Sequence, residues 1–135
     1  MTSVMKKKNK NSTVANWRID SLLNNLPIKV NNKESICDYL NKFPDIIDII
    51  PKAVSAARVY FPDAQIVLDL YIDPEIDDKY LVLYVRLKEY EGSIIELLDK
   101  ARLEILDELK NKKGWIQITT DYKKAKWKDL TGESI

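Results

Sequence analysis

The chain has no histidine, one cysteine and three glycines in 135 residues. Without histidine there is no Ser–His or Cys–His catalytic pair, no imidazole metal ligand and no imidazole pH switch. A lone cysteine, Cys37, excludes an internal disulfide and a thiolate zinc cluster. Its neighbours Ile36, Tyr39 and Leu40 make it read as a small core residue. With only Gly92, Gly114 and Gly132, phosphate-cradling and dinucleotide-binding loops have nothing to be built from, and no cofactor is expected. No apolar run approaches the roughly 20 residues that span a bilayer, so no membrane partner is expected. The N-terminal lysines are not followed by the apolar stretch of a secretory signal. A cytoplasmic location is therefore the expectation.

What is present suits one globular domain: 45% hydrophobic and 32% charged residues, with a net charge of +1. The charge is unevenly laid out. Residues 1–18 carry +5 and residues 122–135 carry +2, which leaves −6 for residues 19–121 of a chain whose total is +1. An acidic body with basic ends argues against a nucleic-acid-binding core, although the ends could still touch phosphates. Residues 1–11, with Lys6-Lys7-Lys8-Asn9-Lys10, read as a disordered basic arm. Residues 12–122 read as the domain and 123–135 as a Lys-rich tail in which Trp127 could be an anchor.

The strongest pattern runs from Gln65 to Tyr122. Ile66, Leu68, Leu70 and Ile72 alternate with Val67, Asp69, Tyr71 and Asp73, a strand's period of two. From Tyr80 to Lys88 the alternation recurs, with Leu81, Leu83, Val85 and Leu87 on one side and Tyr80, Val82, Tyr84 and Arg86 on the other. The connector Asp73–Lys79 is rich in turn formers, which predicts a hairpin. Ser93 and Glu96 fit a capping box for a helix whose stripe is Ile94, Leu97, Leu98, Ala101, Ile105 and Leu109. Lys110, Lys112 and Lys113 suit the negative end of that helix, and Gly114 suits its stop. Trp115 to Tyr122 is the third strand. Upstream, a helix from Ser12 or Thr13 would bury Val14, Trp17, Leu22 and Leu26 before Pro27, and Ile28-Lys29-Val30 would be an extended link. Asn32 would cap a second helix with Ile36, Tyr39, Leu40 and Phe43 inside. A third would start at Pro44 and run to Phe61, with a kink or two abutting helices at Pro51. The expected fold is thus α+β: two or three N-terminal helices, then β-β-α-β, with the long helix on one face of a three-stranded sheet.

Phe43-Pro44-Asp45-Ile46-Ile47, Phe61-Pro62-Asp63-Ala64, Asp73-Pro74-Glu75-Ile76 and Gly114-Trp115 with Thr119-Thr120-Asp121 together resemble a group of small uncharacterised prokaryotic proteins, over about residues 32–123. That group has no assigned activity, so the resemblance bears on the domain limits alone.

Three clusters could carry chemistry. Asp73, Glu75, Asp77 and Asp78 crowd the hairpin loop as a cation site would. The sixth position of an EF-hand-like spacing is nevertheless Asp78 where glycine is needed, and the twelfth is Tyr84 where glutamate is needed, so a solvated acidic turn is the plainer expectation. Asp69 with Asp121-Tyr122-Lys123 loosely matches a metal-dependent nuclease or phosphodiesterase core, in which two acids hold a metal and a lysine orients water. The third is the sheet face bearing Tyr71, Tyr80, Tyr84, Arg86 and Trp115. Tyrosine and tryptophan supply large contact area with a polar handle. That face is ordinary second core if helices cover it, a partner or self-association surface if they do not, or a base-stacking platform if positive charge stands beside it. A small non-catalytic protein-binding or regulatory domain is the favoured function, with Asp69 and Arg86 fixing register at the rim. The metal-dependent enzyme and a nucleic-acid regulator acting through the basic ends are its alternatives.

Overall fold

The structure, a computed structural model, describes residues 17–76 and 78–125. Residues 17–25 are helical (α1), followed by β1 (Lys29–Val30), α2 (Lys33–Lys42), a 3-10 turn (Pro44–Ile46), α3 (Ile49–Tyr60), β2 (Gln65–Asp73), β3 (Asp78–Arg86), α4 (Ile94–Leu109) and β4 (Ile116–Thr119). The α+β class holds, but the sheet has four strands in the order β1-β2-β3-β4. The extended link at Lys29–Val30 is the extra strand, parallel to β2 with Lys29 opposite Val67 and Val30 opposite Leu68. The hairpin is as expected, with Gln65 opposite Arg86 and Asp73 opposite Asp78. The last strand pairs in parallel with β3, placing Leu81 opposite Ile116.

The aliphatic rows explain the packing. Ile66, Leu68, Leu81, Leu83, Val85, Ile116 and Ile118 form one buried cluster with the inward residues of all four helices. Val67 and Val82, on the other side of the sheet, are buried but lie outside that cluster. The described helices therefore share the aliphatic face. In α1 the buried pair is Ile19 and Leu23, while Trp17 is 69% exposed and does not line the core; Val14 and the helix start lie outside the described residues. Pro51 does not kink α3. It is the third residue of that helix, where backbone N–H groups have no partner to lose, and the chain instead breaks between the 3-10 turn and Ile49.

Two expected caps are not made. Ser93 has φ −82° and ψ −1°, close to helical, and its hydroxyl caps nothing, so no box forms with Glu96. Asn32 precedes α2 in the left-handed region (φ 52°, ψ 48°), which asparagine tolerates, and its amide donates to Asp69 Oδ1 at 2.8 Å instead of to the helix. Gly114 does not stop α4, which ends at Leu109 with its cap at Lys110. It is there for space: a Cβ would lie 2.9 Å from Phe43 Cβ and 3.0 Å from Ile46 Cγ1. Asp45 closes the same junction by accepting from Lys113 N at 2.6 Å and Gly114 N at 3.3 Å. Much of the Phe-Pro-Asp-Ile and Gly-Trp signature is thus explained by one buried joint between the 3-10 turn and β4.

Candidate functional site

The second sheet face is laid out in rows by the strand register. One row is Tyr71, Tyr80 and, by extending the β3–β4 pairing by one residue, Trp115; Leu81 N donates to Trp115 O at 3.0 Å. The next is Asp69, Val82 and Gln117, then Val67, Tyr84 and Thr119, and last Gln65 with Arg86. The rows differ in how open they are. Tyr71 and Trp115 are 39% and 37% exposed, Tyr80 and Tyr84 are half-buried, and Arg86 is buried. The Tyr71 and Tyr80 rings lie 5.0 Å apart at 33°, a cross-strand aromatic pair. Burial raises the Tyr80 phenol above its ordinary pKa, with Tyr71 and the nearby acids adding to it. Tyr84 is raised by burial first and then by the carboxylates of Asp121 and Asp69, which flank it.

At the opposite end the face is polar and tied together. Arg86 makes a side-on pair with Asp121, Nε to Oδ1 at 3.3 Å and Nη2 to Oδ2 at 2.9 Å, and its guanidinium stands 6.0 Å from the Tyr84 ring. Burial works to raise the Asp121 carboxyl, but the Arg86 hydrogen bond, the Lys123 N–H and the positive charges outweigh it and hold it below the ordinary range. A bulge makes this pairing possible. Tyr84 faces Thr119, yet Leu87 faces Lys124, so three steps on one strand meet five on the other. Tyr122 absorbs the excess at φ 59°, a conformation unusual for a bulky residue. Tyr90 pins the bulge: its hydroxyl accepts from Leu87 N at 3.2 Å and Thr120 Oγ1 at 3.3 Å and donates to Lys123 O.

Asp69 lies one row before Tyr84 on this face, and Asp121 is bonded to Arg86 one row beyond it. Asp69 Oδ1 accepts from Asn32 Nδ2 and from Leu70 N at 2.7 Å; Asp121 is held by Arg86 and by Lys123 N at 3.2 Å. In the hairpin turn Asp73 Oδ1 accepts from Glu75 N at 2.9 Å, and Asp77 lies outside the described residues. Among the described residues, no three histidine, cysteine or acidic side chains are grouped to hold a metal ion. No described helix is long and apolar enough to cross a membrane. The basic arm 1–11 and most of the tail, with Trp127, lie outside the described residues.

The residues that sequence reasoning missed sit around the hairpin end of the sheet. Tyr39, expected only as core, is buried and accepts a hydrogen bond from Trp115 N at 3.0 Å. It also lines two adjoining grooves. One, of about 350 Å³, lies between α2 and the helix side of the hairpin, with Ser35, Asp38, Lys42 and Phe43 facing Leu70, Ile72, Asp78 and Lys79. The other, wider and more open, continues past Tyr80 and Lys113 to Trp115 and Gln117. Comparison with protein-family models, with curated proteins and with solved structures finds no match to this chain.

Proposed function

We propose that the chain is a small intracellular, non-catalytic protein-binding domain whose contact surface is the Tyr71–Tyr80–Trp115 row. The observation that carries this is the tilted cross-strand Tyr71–Tyr80 ring pair, with Tyr71 39% and Trp115 37% exposed, on the sheet face away from the core that the described helices share. Rings held on adjacent strands have little conformational freedom left to lose, so burying them under a partner costs little entropy and removes much apolar area from water. Tyr84, on the same face but beyond the Asp69–Val82–Gln117 row, extends the aromatic surface. Asp69 lies between the aromatic row and Tyr84 and Arg86 beyond Tyr84, each already bonded within the chain, and they act by holding the strands and Tyr84 in place. The partner is another protein or a second copy of the chain.

Solution mass of the full chain and of a Tyr71→Ser/Trp115→Ser variant, together with iodide quenching of Trp115 in a Trp17→Phe/Trp127→Phe background, tests it. A dimer abolished by the double variant supports self-association. A monomer whose Trp115 is freely quenched supports a different protein as partner. A monomer whose Trp115 is shielded from iodide overturns the proposal.

A further inference from the structure

A second surface, independent of the aromatic row, lies along the outer edge of β2. Asn31 N donates to Leu68 O at 2.9 Å, so Leu68 turns its backbone groups toward β1. By strand alternation Leu70 and Ile72 do the same. The donation from Leu81 N to Trp115 O agrees with this parity, because Leu81, opposite Leu70, points its own groups toward β4. Yet β1 reaches only Val67 and Leu68 before Asn32, in its left-handed conformation, turns the chain into α2. Beyond that point Leu70 N is bent aside onto Asp69 Oδ1, the atom that Asn32 also holds. Leu70 O, Ile72 N and Ile72 O are left, and among the described residues none of these three has a hydrogen-bond partner.

Acceptor, donor, acceptor at strand spacing is the complement of one extended peptide unit and its neighbours, and of little else. The edge is not covered from the side. Ile72, from the aliphatic row, is 51% exposed, and the groove of about 350 Å³ between it and α2 has an apolar floor in Leu70, Ile72 and Phe43. The charges around it cancel, Asp38 and Asp78 against Lys42 and Lys79. A neutral, apolar side chain therefore fits better than a run of either sign. With α2 on one side, the space suits a single strand better than the sheet edge of a second folded copy.

We propose that β2 accepts an extended peptide segment from another protein as an added strand above β1, hydrogen-bonded to Leu70 O, Ile72 N and Ile72 O, with one large apolar side chain seated against Leu70, Ile72 and Phe43. Ile72→Pro isolates the idea. It removes an N–H that has no partner among the described residues, at an edge position where proline is tolerated, and Ile72→Val controls for the change of side chain. Random linear heptapeptides displayed on phage are selected against the full chain, and the enriched ones are synthesised and titrated by calorimetry. Enriched peptides should alternate apolar residues, lose about tenfold or more in affinity on Ile72→Pro, and keep most of it on Ile72→Val and all of it on Trp115→Ser. Should Ile72→Pro fail to fold, amide exchange of the wild type decides: the Ile72 N–H should slow when peptide is bound. The idea is overturned if no peptide is enriched, if Ile72→Pro binds as wild type does, if binding depends on Trp115 and not on Ile72, or if the Ile72 amide exchanges equally fast with and without peptide.

Discussion

Replacing Gly114 by alanine tests the joint that sets the start of β4, and with it the position of Trp115. The new Cβ would sit 2.9 Å from Phe43 Cβ, 3.0 Å from Ile46 Cγ1 and 3.1 Å from Ile46 Cδ1. Phe43 Cβ is bonded to the backbone that links α2 to the 3-10 turn, so no rotamer change moves it away. Ile46 is fully buried and has no room to retreat. Gly114 does not hold a positive φ, so the obstacle is steric only. Overpacking of this kind costs about 1–3 kcal/mol. Stiffening of the unfolded chain by alanine returns about 0.4–1 kcal/mol. The net expectation is a loss of about 1–2 kcal/mol, or roughly 4–8 °C in Tm for a domain of this size. Urea melts followed by circular dichroism measure it. Ile46→Val sharpens the test by removing Cδ1, one of the crowding atoms. In the alanine background it should cost at least about 0.5 kcal/mol less than in the wild type, because the two side chains then share one relieved contact. Equal costs in both backgrounds, or an alanine variant as stable as wild type, would refute the steric account of this glycine.

Two further predictions concern the bulge. Asp121→Asn should cost about 1–3 kcal/mol at pH 7, since it strands the buried Arg86 without its carboxylate. The folded Asp121 pKa lies below the unfolded value of about 4. Its stabilisation is therefore fully present above that pH and is lost as pH falls through the folded value. Wild type and variant should thus draw together in urea melts as the pH is lowered below about 4; a gap unchanged by pH would argue against the ion pair. Tyr90→Phe removes the hydroxyl that joins Leu87, Thr120 and Lys123. About 1–2 kcal/mol should be lost, and the Leu87 amide should exchange faster by NMR, while Ile66 and Leu83 in the core stay protected.

The elements that the sequence announced are those whose partners are close along the chain. The period-two runs in β2 and β3 meet across a short turn, and the stripe of α4 repeats over four turns, so each pattern carries its own evidence. β1 could not announce itself: two residues have no period, and Lys29–Val30 is a strand only because β2 lies beside it. The caps failed for a related reason. Asn32 fits the helix start by type, but Asp69, 37 residues away, takes its amide. Gly114 fits a helix stop by type, but Phe43 and Ile46 are what need it small.

The same division runs through the candidate site. Alternation alone put Tyr71, Tyr80, Tyr84, Arg86 and Trp115 on one face. It could not say which would be open, because exposure there depends on how the strands end. Arg86 is withdrawn from the surface only because the chain after Thr119 gains two residues on β3 and brings Asp121 back to it. That detour turns on a tyrosine at positive φ, a residue type that carries no local signal for such a turn. Where the conformation of one residue is imposed by bonds from Tyr90 and Arg86 some thirty positions away, no window of sequence around it contains the cause. The open aromatic row at the other end of the sheet has no such detour: Tyr71, Tyr80 and Trp115 lie in plain register, and that is why alternation alone placed them together on one face.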